Sequence, residues 1–449
     1  MKPKCLLARV TLLTAACAFW ASATAATYFV SPNGSDRNLG DSDSPLRTIA
    51  EAAHRVAPGD TIELSAGRYS GATINRPGST DMWITLRARQ GEKAIVEGSG
   101  RGPTLYFYHK SCDEYAAPGS ICQALYWSVE NLEIHGSPDG GGDGNAVKID
   151  TPSVKLVGNV LCCSTADVVK VVHTADDVSI LGNEIHTPRA RPGANAQGVD
   201  IVGAERTLVA ENFVHDIPSI GMYAKGNAKN TVFERNRVER TWSHGIMLGQ
   251  STDAHRLRKG PYESYDGIVR DNLIRDTGWS CFATASSLNV RIYNNTCYNT
   301  GTETHGSILI SNESEIGQAG TNIDIFNNVV FGSARHSMVK VTSNAMTDPS
   351  SLRLDHNVYW TREGAGGVRF SWRDRGLNDA TIDTWRRATR NDTSSRIADP
   401  RFRDLKSLAP ALTDMSIAVP SQRSVTGVRA ESPRCLNHPE LGARNACRP

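Results

Sequence analysis

Residues 212–236 read NFVHDIPSIGMYAKGNAKNTVFERN, and this stretch decides the fold. It opens and closes on Asn, and each Asn begins a unit of Asn, one variable residue, an apolar residue and a turn residue. The same unit stands at Asn159, Asn183, Asn212, Asn236, Asn272, Asn295, Asn328 and Asn357, with successive spacings of 24, 29, 24, 36, 23, 33 and 29 residues. A base period of 23 or 24 residues with occasional insertions is the mark of a solenoid turn carrying surface loops. Between the Asn units lie short alternating runs such as Val147-Lys148-Ile149-Asp150, Val199-Asp200-Ile201 and Ile246-Met247-Leu248. Alternation of that length predicts strands with one buried face. Gly and Asn cluster between the runs, where tight turns belong.

Parallel strands on adjacent coils stack about 4.8 Å apart, so equivalent residues form rows along the axis. The Asn series is one such row. Its reading is structural, because Asn suits turns and satisfies neighbouring backbone groups. The expected architecture is an all-β, right-handed parallel β-helix with a short N-terminal capping helix and a C-terminal cap.

The segment YFVSPNGSDRNLGDSDSPLRTIAEAAHRVAPGDTIELSAGRY, Tyr28 to Tyr69, precedes the regular coils. It predicts a strand, a polar loop, an amphipathic helix over Leu46 to Val56 and, after Pro58-Gly59-Asp60, another strand. A helix there would cover the open apolar end of the solenoid. This segment and the repeat through about Trp360 resemble secreted right-handed parallel β-helix proteins, a group that includes polysaccharide lyases of the family 9 pectate lyase kind. The resemblance implies fold more firmly than activity, since one scaffold carries many chemistries. The chain divides into a signal segment (1–25), a cap with the first coils (26–100), the regular coils (101–360) and a C-terminal cap (361–449). DPRFRD, Asp399 to Asp404, looks like a closing segment.

Lys2, Lys4 and Arg9 precede an apolar run from Val10 to Trp20 and the small-residue site Ala23-Thr24-Ala25, the pattern of a secretory signal. No later stretch is apolar for long enough to span a bilayer. Beyond the signal, 46 Lys and Arg face 47 Asp and Glu, a balance that argues against a nucleic-acid partner. The expectation is a secreted or periplasmic monomer with neither a nucleic-acid nor a membrane partner. Of the eight cysteines outside the signal, short gaps favour Cys112 with Cys122 and Cys435 with Cys447, and Cys281 with Cys297 is a further candidate. Adjacent Cys162 and Cys163 are expected not to pair with each other, because the bridge is strained, leaving one buried and free. No zinc-like spacing occurs.

Aligning the strand runs places Lys148, Lys170, Asp200, Tyr223 and Met247 in one outward column and Asp150, Val172, Val202, Lys225 and Gly249 in a second. Insertions at 186–196, 250–265 and 301–320 are expected to wall a groove beside them. The resemblance implies an acidic polysaccharide cut by β-elimination. That reaction needs neutralisation of a uronate carboxylate, a base for the C5 proton and an acid for the leaving oxygen. Lysine is the base in family 9 pectate lyases, and Lys225 is the candidate here by position alone. Lys148 and Lys170 would keep it neutral by like-charge repulsion. Tyr223 or His244 would donate the proton. Lys148, Lys170, Asp200, His215, Gln250 and the carboxylate clamps Arg189, Arg191 and Arg256 are candidate substrate contacts. His186 and His215, at the same turn position, would form a stacked pair. Each lysine, histidine and arginine also has a bland reading, as a solvated surface group or turn feature.

Calcium stays open as a cofactor. Asp139, Asp143 and Asp150, with Asp200, could contribute carboxylates. The consecutive acidic residues of a family 9 calcium site are not present in the sequence. Two other readings compete with a lyase. One is a glycoside hydrolase using Asp200 with Asp253 or Asp150, which needs carboxylates roughly 5–9.5 Å apart. The other is a non-catalytic carbohydrate-binding surface protein.

Overall fold

The computed structural model describes residues 25–112, 121–138, 143–187, 191–257, 259–312, 316–402 and 404. The signal segment, Asp139, Arg189 and the proposed Cys435–Cys447 pair lie outside these residues. The described strands form three sheets of 14, 12 and 12 members. Each regular coil gives one strand to each sheet: Leu208–Ala210 joins the first, Phe213–Ile217 the second and Met222–Lys225 the third. Pairing between named strands is parallel until Phe370–Trp372 meets Leu377–Ala380 antiparallel. The expected all-β parallel solenoid is the fold observed.

Strand alternation fills the interior. Ile149, Val171, Ile201, Ala224 and Leu248 pair in register across five coils, and all are fully buried. Fully burying one such aliphatic side chain stabilises by about 1.5–3 kcal/mol, so the stacked interior is the main favourable term. The turn into the third sheet brings backbones very close: a Cβ at Gly221 would lie 2.5 Å from the Gly245 carbonyl oxygen, so only glycine fits.

The Asn row is a continuous hydrogen-bonded ladder. Asn236 Nδ2 donates to the Val209 carbonyl (2.9 Å) and to Asn272 Oδ1 (3.0 Å). Its own Oδ1 accepts from the Asn212 backbone N–H (3.0 Å) and Asn212 Nδ2 (2.9 Å). The pattern runs from Asn159 to Asn357, where Ser395 takes over as acceptor. The residue before each Asn takes a left-handed φ, even Glu211 (+60°) and Arg235 (+52°). The Asn row is thus a structural ladder that satisfies buried backbone groups.

Helix α1 (Ile49–Arg55) is shorter than its predicted span. Leu46 is engaged in a β-bridge to Val30, and the Thr48 side chain caps the helix by accepting from the Glu51 N–H. Its buried face is Ile49, Ala52 and Ala53. At the other end α2 (Ile382–Thr389) buries Trp385, which stacks on Phe370 and donates to Asp392. Phe402, in the predicted closing segment, packs edge-on to Tyr298.

Cys112–Cys122 and Cys281–Cys297 are bonded as expected. The expectation for the adjacent pair is overturned: Cys162 and Cys163 are joined to each other. Cys163 takes a left-handed φ of +66°, and this turn is the backbone conformation in which the neighbouring sulfurs meet.

Candidate functional site

The third sheet carries the predicted outward column in register: Lys148 beside Lys170, Lys170 beside Asp200, Asp200 beside Tyr223, and Tyr223 beside Met247. Lys225 stands next to Val202 in the second column. The columns are not open along their whole length. Lys148 and Lys170 are part-exposed, whereas Asp200 is 0 % and Tyr223 2 % exposed. Tyr223 and Met247 join Ile220, Ala283, Ala285 and Leu309 in an apolar cluster on the outside of the sheet. Tyr223 therefore cannot serve as a platform for a sugar ring. Burial, then the charges of Asp200 and Asp167, hold its hydroxyl well above the usual phenol range, so it keeps its proton and has no route to a substrate oxygen.

Lys170 is the centre of charge. Its Nζ donates to Asp167 Oδ2 (3.0 Å) and to Asp200 Oδ2, two carboxylates from adjacent coils. Burial alone would lower the Lys170 pKa, but Asp200 and Asp167 outweigh it and hold the ammonium charged. Asp167 is 3 % exposed; burial and then the Asp200 charge push its carboxyl up to about 7. The sequence reading missed Asp167. It lies two residues before its strand, where Asn145 and Gln197 stand on the coils either side, and that row of polar residues was the available signal.

A cleft of about 230 Å³ opens where Lys170 and Val172, Val202, Lys225 and the loop Ser251–Asp253 meet. His173 also lines it. Lys225 Nζ donates to the Ser251 carbonyl oxygen (3.1 Å) and lies 5.2 Å from the Tyr223 ring centre. The loop is held by Glu263, a second residue missed from sequence. This fully buried carboxylate accepts from the N–H groups of Gly226 (2.7 Å) and Thr252 (2.8 Å) and from the Thr252 hydroxyl (2.8 Å). The expectation that Lys148 and Lys170 repel a charge from Lys225 is corrected. Lys170 is matched by two carboxylates, Lys148 pairs with Asp143 (3.3 Å), and the negative Glu263 lies close to Lys225.

Other candidates are placed elsewhere. His215 lies on the second sheet, stacked on His186 as expected (4.9 Å, 12°), and held by Asp216 and Glu184. It is thus on a different face from the cleft and is not a substrate contact there. His244 is buried in a group with Trp279 and His305. Burial, reinforced by His305, brings its pKa down to about 3, so it is neutral and cannot act as the proton donor. Gln250 follows the strand Ile246–Leu248 and is half-buried, Arg191 is exposed, and Arg256 ends a short 3-10 turn at Ala254–Arg256. The hydrolase reading loses its pair, because Asp200 has no exposed surface and is bonded to Lys170, and Asp150 accepts from the Tyr106 hydroxyl (2.5 Å).

Buried, neutral His244 makes acid stability testable. Its folded-state pKa lies below the unfolded value of about 6.5, so its contribution is full above that pH and is lost as pH falls towards 3. The drop in Tm between pH 7 and pH 4.5 is expected to be smaller in His244→Asn than in the parent. Equal drops would remove His244 as a cause.

Calcium takes six to eight oxygen ligands. Among the described residues, three His, Cys, Asp or Glu side chains converge only at His135, Cys162 and Cys163, where both sulfurs are in the disulfide. Asp143 is paired with Lys148, and the two carboxylates that do converge, Asp167 and Asp200, hold an ammonium. The described residues as they stand do not fit a calcium ion.

Fold and site together define a parallel β-helix with a lysine-bearing cleft on its third sheet. The family described as "Pel9A-like, right handed beta helix region" matches residues 28–315, and the chain belongs to it. It is 23% identical over 445 residues to the uncharacterized protein YwoF of Bacillus subtilis (strain 168), covering 84% of this chain and 88% of that one. Pectate lyase PEL9 of Emericella nidulans is 34% identical over 128 residues, 27% of this chain and 31% of that one. The crystal structure of pectate lyase Pel9A is similar at 16% identity and a TM-score of 0.44, covering 86% and 84% of the two chains.

Proposed function

We propose that this chain is an exported lyase that cleaves a uronic-acid-containing polysaccharide by β-elimination at the cleft beside Lys225. The observation that carries the reading is two lysines with different partners in one cleft. Lys170 is fixed and charged between two carboxylates, whereas Lys225 donates to a carbonyl oxygen at the rim. Arg191, exposed on the loop that precedes the Val199–Val202 strand, offers positive charge to an acidic chain. To act as the base, Lys225 must present a neutral amine to the C5 proton. The amine takes the C5 proton, a C4–C5 double bond forms, the C4–O bond breaks, and water at the open mouth protonates the leaving oxygen. The cleft is smaller than the roughly 300–1,000 Å³ of a pocket that engulfs a ligand, so it seats one ring of a longer chain.

The family and the relatives named pectate lyase support a polysaccharide substrate. Three disulfides fit an oxidising compartment outside the cytosol, and no helix among the described residues is long and apolar enough to cross a membrane. Incubation with pectate, alginate, glycosaminoglycan and neutral polysaccharides tests the proposal. One acidic polymer is expected to yield ultraviolet-absorbing unsaturated products. New reducing ends without that absorbance would mean hydrolysis, and retention on a polymer without cleavage would mean a binding protein; either outcome defeats the lyase reading.

A further inference from the structure

Two buried carboxylates aimed at one point normally announce a metal. Here Asp167 and Asp200, 3 % and 0 % exposed, converge on the Lys170 ammonium. We propose that Lys170 is this chain's built-in substitute for a divalent cation: its ammonium fills an oxygen-walled site that takes calcium once the lysine is removed and does not take it while the lysine is present. The inference rests on the cluster itself and stands apart from the elimination reading.

The unpaired oxygens point the same way, since two carboxyl groups share one ammonium. The second oxygen of Asp200, Oδ1, is buried without a hydrogen-bond partner among the described residues. A buried acceptor left unpaired is costly unless a cation shares it. Asn145 and Gln197, at the same position as Asp167 on the flanking coils, are also buried. Asn145 Nδ2 donates to the Asp167 carbonyl (2.7 Å), and the Gln197 N–H donates to Asp167 Oδ1 (3.1 Å). Their side-chain oxygens, Asn145 Oδ1 and Gln197 Oε1, likewise have no partner among the described residues. The two carboxylates that hold the ammonium are hard oxygen donors, the type that calcium selects. Lys170 also lines the cleft, so replacing it would open a path for an ion from solvent. A lysine in this place offsets carboxylate charge beside the cleft without dependence on free calcium.

Calorimetric titration with calcium chloride, together with melting curves in calcium chloride or EDTA, tests this on the full chain, Lys170→Ala and the length-preserving Lys170→Gln. Neither measurement uses a polysaccharide, so failure here is distinct from failure of the lyase reading. In the parent, no calcium site sensitive to Asp167→Asn is expected, and the midpoint should be indifferent to calcium and EDTA. Each Lys170 variant should melt lower in EDTA, recover in calcium and bind one calcium at least about tenfold more tightly than the parent. If a variant fails to fold, refolding is compared with and without calcium, and recovery only with calcium supports the proposal. It is overturned if the parent binds calcium through Asp167, if both folded variants bind none, or if calcium rescues neither unfolded variant.

Discussion

Lys225→Ala is expected to remove about 10²–10⁴-fold of the elimination rate, the usual loss when a positioned base is deleted, with little change in folding stability. The side chain is part-exposed and its polar contact to the Ser251 carbonyl is at the rim, so truncation opens no core cavity. Lys225→Arg is the sharper variant. A guanidinium keeps the positive charge, but it stays protonated and cannot accept the C5 proton. If Lys225 only attracts an acidic polymer, arginine should preserve turnover; if it is the base, arginine should be as slow as alanine while still binding substrate. The check is initial rate of unsaturated product against each variant, with affinity measured separately. Full-rate turnover by Lys225→Arg would sink the assignment.

The fold was legible because two periodicities coincide. Alternation marked the strands and the recurrence of Asn marked the coils, so residues as distant as Lys148 and Met247 could be put in one column before any coordinates. Alternation tells which side of the sheet a residue faces, not what lies over that side. Tyr223 and His244 were read as reachable for this reason, and both are buried, Tyr223 in an outer apolar cluster and His244 against Trp279 and His305. Asp167 and Glu263 were missed for a related reason. They lie in turns and insertions, outside the alternating runs, and act through contacts between coils 30 and 37 residues apart in sequence. Cys162–Cys163 could not be read from spacing, since its bond depends on a left-handed residue that the local sequence does not announce.

The ladder sets the largest stability effect. Asn236→Ala leaves the Val209 carbonyl and the Asn212 N–H buried without their side-chain partner and cuts the amide chain between Asn212 and Asn272. Each buried group so orphaned costs about 1–3 kcal/mol, so a total loss of about 3–5 kcal/mol is expected, read as a lower urea midpoint. Asn236 itself has no left-handed φ, so alanine adds no backbone strain and the loss reports the amide. Asn289→Gly is the control. Asn289 donates to Asp266 and accepts from Asn322 in another cross-coil row, but it is exposed, and glycine tolerates its φ of +59°. Water replaces those bonds, and a change within about 1 kcal/mol is expected. Burial is the variable that separates the two sites, because solvent can reach one amide row and not the other. A parent-like midpoint for Asn236→Ala would mean that stacked apolar side chains hold the coils together without the ladder.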